Sequence, residues 1–255
     1  MTNSMRNVVT TTTAVALAAL FAGCASPTPN VTSEPSATES ASAEPEVLDP
    51  ASAAVTEYLD AIMLGNIAGA WEMLSPETQA TYNDSPTTYA DYAADNETVT
   101  AHEAKLLSDA ALVVTPGPEN GFQVVSAQVG GVADAWVVRE SDAGLRIDDP
   151  GVPPTGERPF TWTNPADGVF DAATPPTIYF QKTFGPGGET DVIGGPPDAI
   201  VGYADGAEVV VTRDASSGAG AAFVADVPAG ARVLTVVWAP EVGNKLWQSS
   251  TVTLD

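Results

Sequence analysis

The stretch Asp49-Pro50-Ala51-Ser52-Ala53-Ala54-Val55-Thr56-Glu57-Tyr58-Leu59-Asp60-Ala61-Ile62-Met63-Leu64-Gly65-Asn66-Ile67-Ala68-Gly69-Ala70-Trp71-Glu72-Met73-Leu74-Ser75-Pro76-Glu77-Thr78-Gln79 opens the folded part of the chain and sets its class. Asp49 can accept from the first free amides of a helix, and proline at the next position lacks an amide that would otherwise be unpaired. A helix therefore starts here. Val55, Tyr58, Leu59 and Ile62 recur at helical spacing, Met63-Leu64 closes the run, and Gly65 can take the left-handed conformation that ends it. Ala68 to Leu74 predicts a short second helix bearing Trp71. Ser75-Pro76 and Ser85-Pro86 repeat the cap-then-proline signal and open helical stretches that include Gln79 to Tyr82 and Thr87 to Ala94.

From Thr98 the period changes. Val99 to Leu107, Ala110 to Val114, Phe122 to Val129, Ala133 to Glu140 and Gly144 to Ile147 are short runs separated by Gly, Pro, Asn and Asp, which predicts antiparallel strands. Helices followed by a meander define an α+β module over residues 48–150. Trp71 and Trp136 are its candidate core aromatics, because large rings dominate core burial.

With its long first helix, glycine-asparagine turn, Trp helix ending in Leu74-Ser75-Pro76 and following sheet, this module resembles NTF2-like domains, the cystatin-like α+β cones. The resemblance covers about 100 residues and implies a curved antiparallel sheet around a cone-shaped cavity. Functions on that fold range from dehydratase and isomerase to binding alone, so the fold by itself decides little. Enzymes of the family place His, Asp and Tyr inside the cavity. The matching candidates are His102, the chain's single histidine, on the expected first strand, with Asp60 and Tyr82, and Asp91 nearby in sequence. Glu103 and Lys105 beside His102 suggest a partly solvated strand, and the plainer reading is a surface or rim histidine.

Asp148-Asp149-Pro150-Gly151-Val152-Pro153-Pro154-Thr155-Gly156 punctuates the chain as a connection. Beyond it, over residues 158–255, Phe160 to Thr163, Thr177 to Phe180, Ala199 to Ala204, Glu208 to Arg213, Ala222 to Val227, Arg232 to Trp238 and Lys245 to Leu254 are short and alternating. Their spacing suits a sandwich. Asp205-Gly206 signals a tight hairpin, and Trp238 and Trp247 are the core candidates. The pattern resembles an all-β immunoglobulin-like sandwich lacking the inter-sheet cysteine pair.

The N-terminal end has a different character. Arg6, the uncharged run Val8 to Phe21 and the small pair Ala22-Gly23 have the parts of an export signal, and 14 residues with four consecutive threonines fall short of the ~20 that span a bilayer. Through Leu20-Phe21-Ala22-Gly23-Cys24 it resembles a bacterial lipoprotein precursor, with Phe21 where the family usually has leucine. The resemblance implies that residues 1–23 are removed and that Cys24 carries a diacylglycerol. Two acyl chains, at about 0.8 kcal/mol per buried methylene, hold a protein on a membrane. Residues 24–47, rich in Ser, Thr, Pro, Ala and Glu, have too little apolar surface to offset ordering and are expected to form a disordered acidic tether. Its extended reach is on the order of 75–80 Å.

Charge and composition exclude several chemistries. The formal net charge is −24, from 33 acids and 9 bases, and no segment offers the basic footprint that phosphate binding requires. Nucleic acid is not an expected partner. Cys24 is the single cysteine, so intramolecular disulfides and a soft-ligand zinc site are ruled out. Gly185-Pro186-Gly187-Gly188 and Gly194-Gly195-Pro196-Pro197 lack the Lys-Ser/Thr of a phosphate loop. Asp167, Asp171, Asp191 and Asp198 have no Ca²⁺-loop spacing and read as solvated acids. No Gly-x-Ser-x-Gly elbow or Ser-x-x-Lys signature is present.

The sequence thus leads to the expectation of a non-catalytic lipoprotein on the outer face of the cytoplasmic membrane. It would be anchored by Cys24, carry no cofactor or metal, and bind an envelope protein or cell-wall component. The alternative is a cone that binds or transforms a small apolar molecule, with Asp60, Tyr82 and His102 as its polar groups.

Overall fold

A computed structural model describes residues 48–95, 101–148, 160–166, 168–184, 192–217, 219–239 and 246–254. Cys24, the expected export signal and tether, the expected connection beyond Asp148, Asp167, Gly185–Gly188 and Asp191 lie outside them. The described chain is a β-rich α+β fold, and all its paired strands run antiparallel.

The helices begin where the caps place them. Helix α1 (Pro50–Met63) has Asp49 as N-cap, whose Oδ1 accepts from the Ala51 amide at 2.8 Å. It ends at Leu64, followed by Gly65 at φ +67°. Val55, Tyr58, Leu59 and Ile62 are buried on one face. Helix α2 (Ile67–Met73) is capped by the Asn66 side chain and α3 (Pro76–Thr81) by Ser75, whose Oγ accepts from the Thr78 amide at 3.1 Å. The Ser85 hydroxyl accepts from Thr88 at the start of α4 (Pro86–Asp95).

A strand is expected over Val99 to Leu107; its described part, residues 101–107, is instead helical, within α5 (Ala101–Ser108). Alanine, glutamate, lysine and leucine are strong helix formers, and Ala104 and Leu107, three apart, both bury as the helix packs along α1. Packing of that stripe decides for a helix over 101–108.

Four strands form the first sheet in the order β1 (Leu112–Pro116), β2 (Phe122–Val129), β3 (Val132–Ser141), β4 (Gly144–Asp148). Alternation sends Val125, Ala127, Trp136, Val138 and Ile147 into the core beneath the helices, beside Trp71. Residues of opposite parity, Val124, Ala135 and Val137, are equally buried on the other face. The central strands are therefore covered on both sides.

The remaining strands build two further sheets. One has the order β10-β9-β13-β14, from β9 (Ala199–Ala204), β10 (Ala207–Val209), β13 (Val233–Ala239) and β14 (Gln248–Thr253). The other has the order β11-β12-β6-β5, from β5 (Phe160–Asn164), β6 (Thr177–Gln181), β11 (Val211–Ser217) and β12 (Gly220–Ala225). A short ribbon, β7 (Thr183–Phe184) with β8 (Val192–Gly194), branches from this region. Between the two sheets Trp238 meets Phe160 at 4.9 Å and Phe180 at 5.1 Å, edge to face, with Ile178, Phe223, Leu234 and Val236 around them.

Asp205 (φ +46°) and Gly206 (φ +81°) turn the β9–β10 hairpin, with Ala204 opposite Ala207. Glu208 to Arg213, expected as one strand, divides at exposed Val210: β10 pairs in one sheet and β11 in the other. A strand that changes sheets at a corner joins two packed layers, a property of the tertiary arrangement that local alternation does not carry. The layers thus stack as helices, first sheet, β10-β9-β13-β14 sheet and β11-β12-β6-β5 sheet.

Candidate functional site

The polar centre of the described structure lies where the first sheet meets the sandwich. Arg139 on β3 has the same parity as Ala135 and Val137, so its side chain leaves the sheet on the sandwich side. It is 8% exposed. Its guanidinium donates from Nη2 to Asp148 Oδ2 at the end of β4, and Nη1 lies 2.7 Å from Glu77 Oε1 on α3. The Arg139 guanidinium also stands 4.9 Å from the centre of the Phe122 ring, a cation–π distance.

Asp148 is 1% exposed. Its Oδ2 also accepts from the Trp247 amide at 3.3 Å, tying the loop before β14 to the first sheet. Burial pushes the Asp148 carboxyl above its ordinary value of 3.8; Arg139, the Ser75 hydroxyl and the Trp247 amide pull the other way. Ser75 reaches this place because its amide donates to Ile147 O at 2.9 Å, holding the α2–α3 junction against β4.

Two more polar contacts cross the same junction. The Tyr203 hydroxyl donates to Pro116 O at 3.0 Å, and Ser249 Oγ donates to Ala135 O at 2.7 Å. Burial, with Glu208 adding to it, pushes the Tyr203 phenol up to about 12, so it remains a donor across the neutral range. These groups are engaged with one another. The chemistry they perform is to hold two layers together, with one guanidinium between two carboxyl groups at one end and neutral hydrogen bonds along the rest.

The sequence candidates fall elsewhere. Asp60 is exposed on α1, and His102 is exposed on α5, on a helix rather than the expected strand. Tyr82 is buried at the C-cap of α3, edge-on to Tyr89 at 5.2 Å and to Trp71 at 6.4 Å. The Tyr58 and Tyr89 hydroxyls pair at 3.3 Å beneath the helices. Two of the three candidates thus stand in solvent while the third packs among aromatic rings. Asp91 and Asp198 are exposed, and the Asp171 carboxylate accepts from the Ala173 amide in a local turn. Among the described residues, no group of three or more His, Cys, Asp or Glu is placed to hold a metal ion. No described helix is long and apolar enough to cross a membrane.

Sequence reasoning passed over Arg139, Asp148 and Glu77. One signal was available: Arg139 continues the parity of Ala135 and Val137 on an otherwise apolar strand, where a solvated arginine is out of place. Asp148 gave none, since Asp-Asp-Pro reads as a linker.

Comparison of the chain with protein families, with curated proteins and with solved structures gave no match.

Proposed function

We propose that this chain is a lipid-anchored protein of the bacterial envelope that works by binding, through an NTF2-like α+β half and an immunoglobulin-like sandwich. The observation that carries the reading is Leu20-Phe21-Ala22-Gly23-Cys24 behind a short uncharged run, followed by an acidic Ser/Thr/Pro/Ala segment. A lipobox with a tether behind it belongs to proteins that act at a membrane surface. The non-catalytic part of the reading is supported by Asp60 and His102 standing in solvent and by Tyr82 packing against Trp71 and Tyr89. A catalytic cone would need those polar groups in one enclosed site. The partner is an envelope protein or a cell-wall component, because a chain of net charge −24 repels nucleic acid and anionic headgroups alike.

The test is lipid labelling in the producing bacterium. Radiolabelled palmitate should enter the protein, and Cys24→Ala should abolish the label and release the protein from the membrane fraction. An unlabelled protein whose Cys24→Ala variant stays membrane-bound would overturn the anchor. Turnover of a small substrate by the purified protein would overturn the non-catalytic reading.

A further inference from the structure

The first sheet has two apolar faces, and a sheet buried on both sides needs a cover on each. The helices supply one. The other is supplied by the sandwich: Tyr203, Val237 and Trp247 lie against Val124, Ala135 and Val137, and all six are at most 5% exposed. Phe122 on β2 meets Trp247 edge-on at 6.4 Å. The hairpin tip approaches so closely that a Cβ at Gly206 would fall 2.4 Å from Val113 Cγ1 on β1.

The polar contacts are distributed along this seam rather than at one point. Tyr203 to Pro116 ties β9 to β1, Ser249 to Ala135 ties β14 to β3, and Trp247 to Asp148 ties the loop before β14 to β4. Asp148 extends the connection through Arg139 to Glu77 on α3. A chain of named contacts therefore runs from the sandwich to the helices.

We propose that the sandwich is a permanent cover of the first sheet, and that the Trp247–Asp148–Arg139–Glu77 chain clasps the two halves into one cooperative body. A partner gripping the sandwich then also stabilises α3 and the helices packed behind it, because a ligand that binds only the folded state stabilises everything that unfolds with its site. The inference does not rest on the envelope reading and survives its failure.

Hydrogen exchange of the full-length protein in increasing urea, read by mass spectrometry, reports the halves separately. Peptides from α1 and from β12 are expected to lose protection at one shared urea midpoint. Val236→Ala, which lies in the sandwich core away from the seam, should lower that midpoint equally in both halves, and Ser249→Ala should lower it in both by less. Separate midpoints in the wild-type protein would overturn the proposal, and that comparison needs no variant to fold. A Val236→Ala shift confined to sandwich peptides would overturn it equally.

Discussion

Asp148 is a buried carboxyl on which two layers of the fold converge. Its carboxylate is the acceptor shared by Arg139 and the Trp247 amide, so Asp148→Ala leaves that amide without its acceptor and deprives buried Arg139 of a carboxylate partner. Removing one partner of a buried pair costs about 3–5 kcal/mol, which chemical denaturation should show as a lower midpoint. The pH dependence has a definite sign. Because burial raises the folded carboxyl above its ordinary value, the folded protein retains a proton that the unfolded chain has released. The associated stability is full below the ordinary value and is lost as pH rises through the folded one. Asp148→Asn has no proton to lose there. The stability difference between the wild type and Asp148→Asn should therefore drift against the wild type as pH rises from about 4, and a drift in the other direction would show that Arg139 outweighs burial.

At the scale of elements, the caps are the simplest contributions to isolate. The Asp49 side chain satisfies one of the amides that α1 leaves unpaired at its start. Asp49→Ala should lower stability by about 1 kcal/mol, measured as a denaturation midpoint, while Asp49→Asn should retain most of it. The cap was legible in sequence because it depends on residues two or three positions apart, and the same holds for Ser75, Gly65 and the Asp205-Gly206 turn. Two elements were not legible. Residues 101–108 have a helical stripe of two small or medium apolar residues, Ala104 and Leu107, and packing against α1 and the first sheet makes that stripe decisive. Residues 208–213 form one unbroken β-prone run with three consecutive valines, and their division at Val210 follows from which sheet each end can reach.

For the whole molecule, the acidic excess and the stacked layers oppose each other. Thirty-three acids stand against nine bases in the chain, and a net charge so far from zero weakens the folded state by self-repulsion. Salt screens exposed charges over about 8–10 Å and leaves buried pairs largely untouched. The thermal midpoint is expected to rise between about 10 and 150 mM NaCl in a scanning measurement at neutral pH. A fall would mean that exposed attractive pairs outweigh the general repulsion. The seam works against the same repulsion by placing its apolar residues between the layers and the charges of Arg139 and Asp148 in mutual contact.

The amino-acid sequence by itself determined the α+β class, the starts and ends of the first helices, the hairpin turn and most strand runs. The lipobox-like Leu20-Phe21-Ala22-Gly23-Cys24, on which the proposed anchor rests, is likewise a feature of neighbouring residues alone. These features depend on neighbours within a few positions, so one stretch of chain is enough to read them. Only the tertiary structure decided that the first sheet is covered on both faces, that α5 is a helix, and that Asp148 meets Arg139 and Trp247 while Asp60 and His102 face solvent. Those outcomes join residues 99 and 114 positions apart, Asp148 to Trp247 and Ala135 to Ser249. At such separations the partner of a side chain is chosen by which layers pack together, and no local periodicity records that choice.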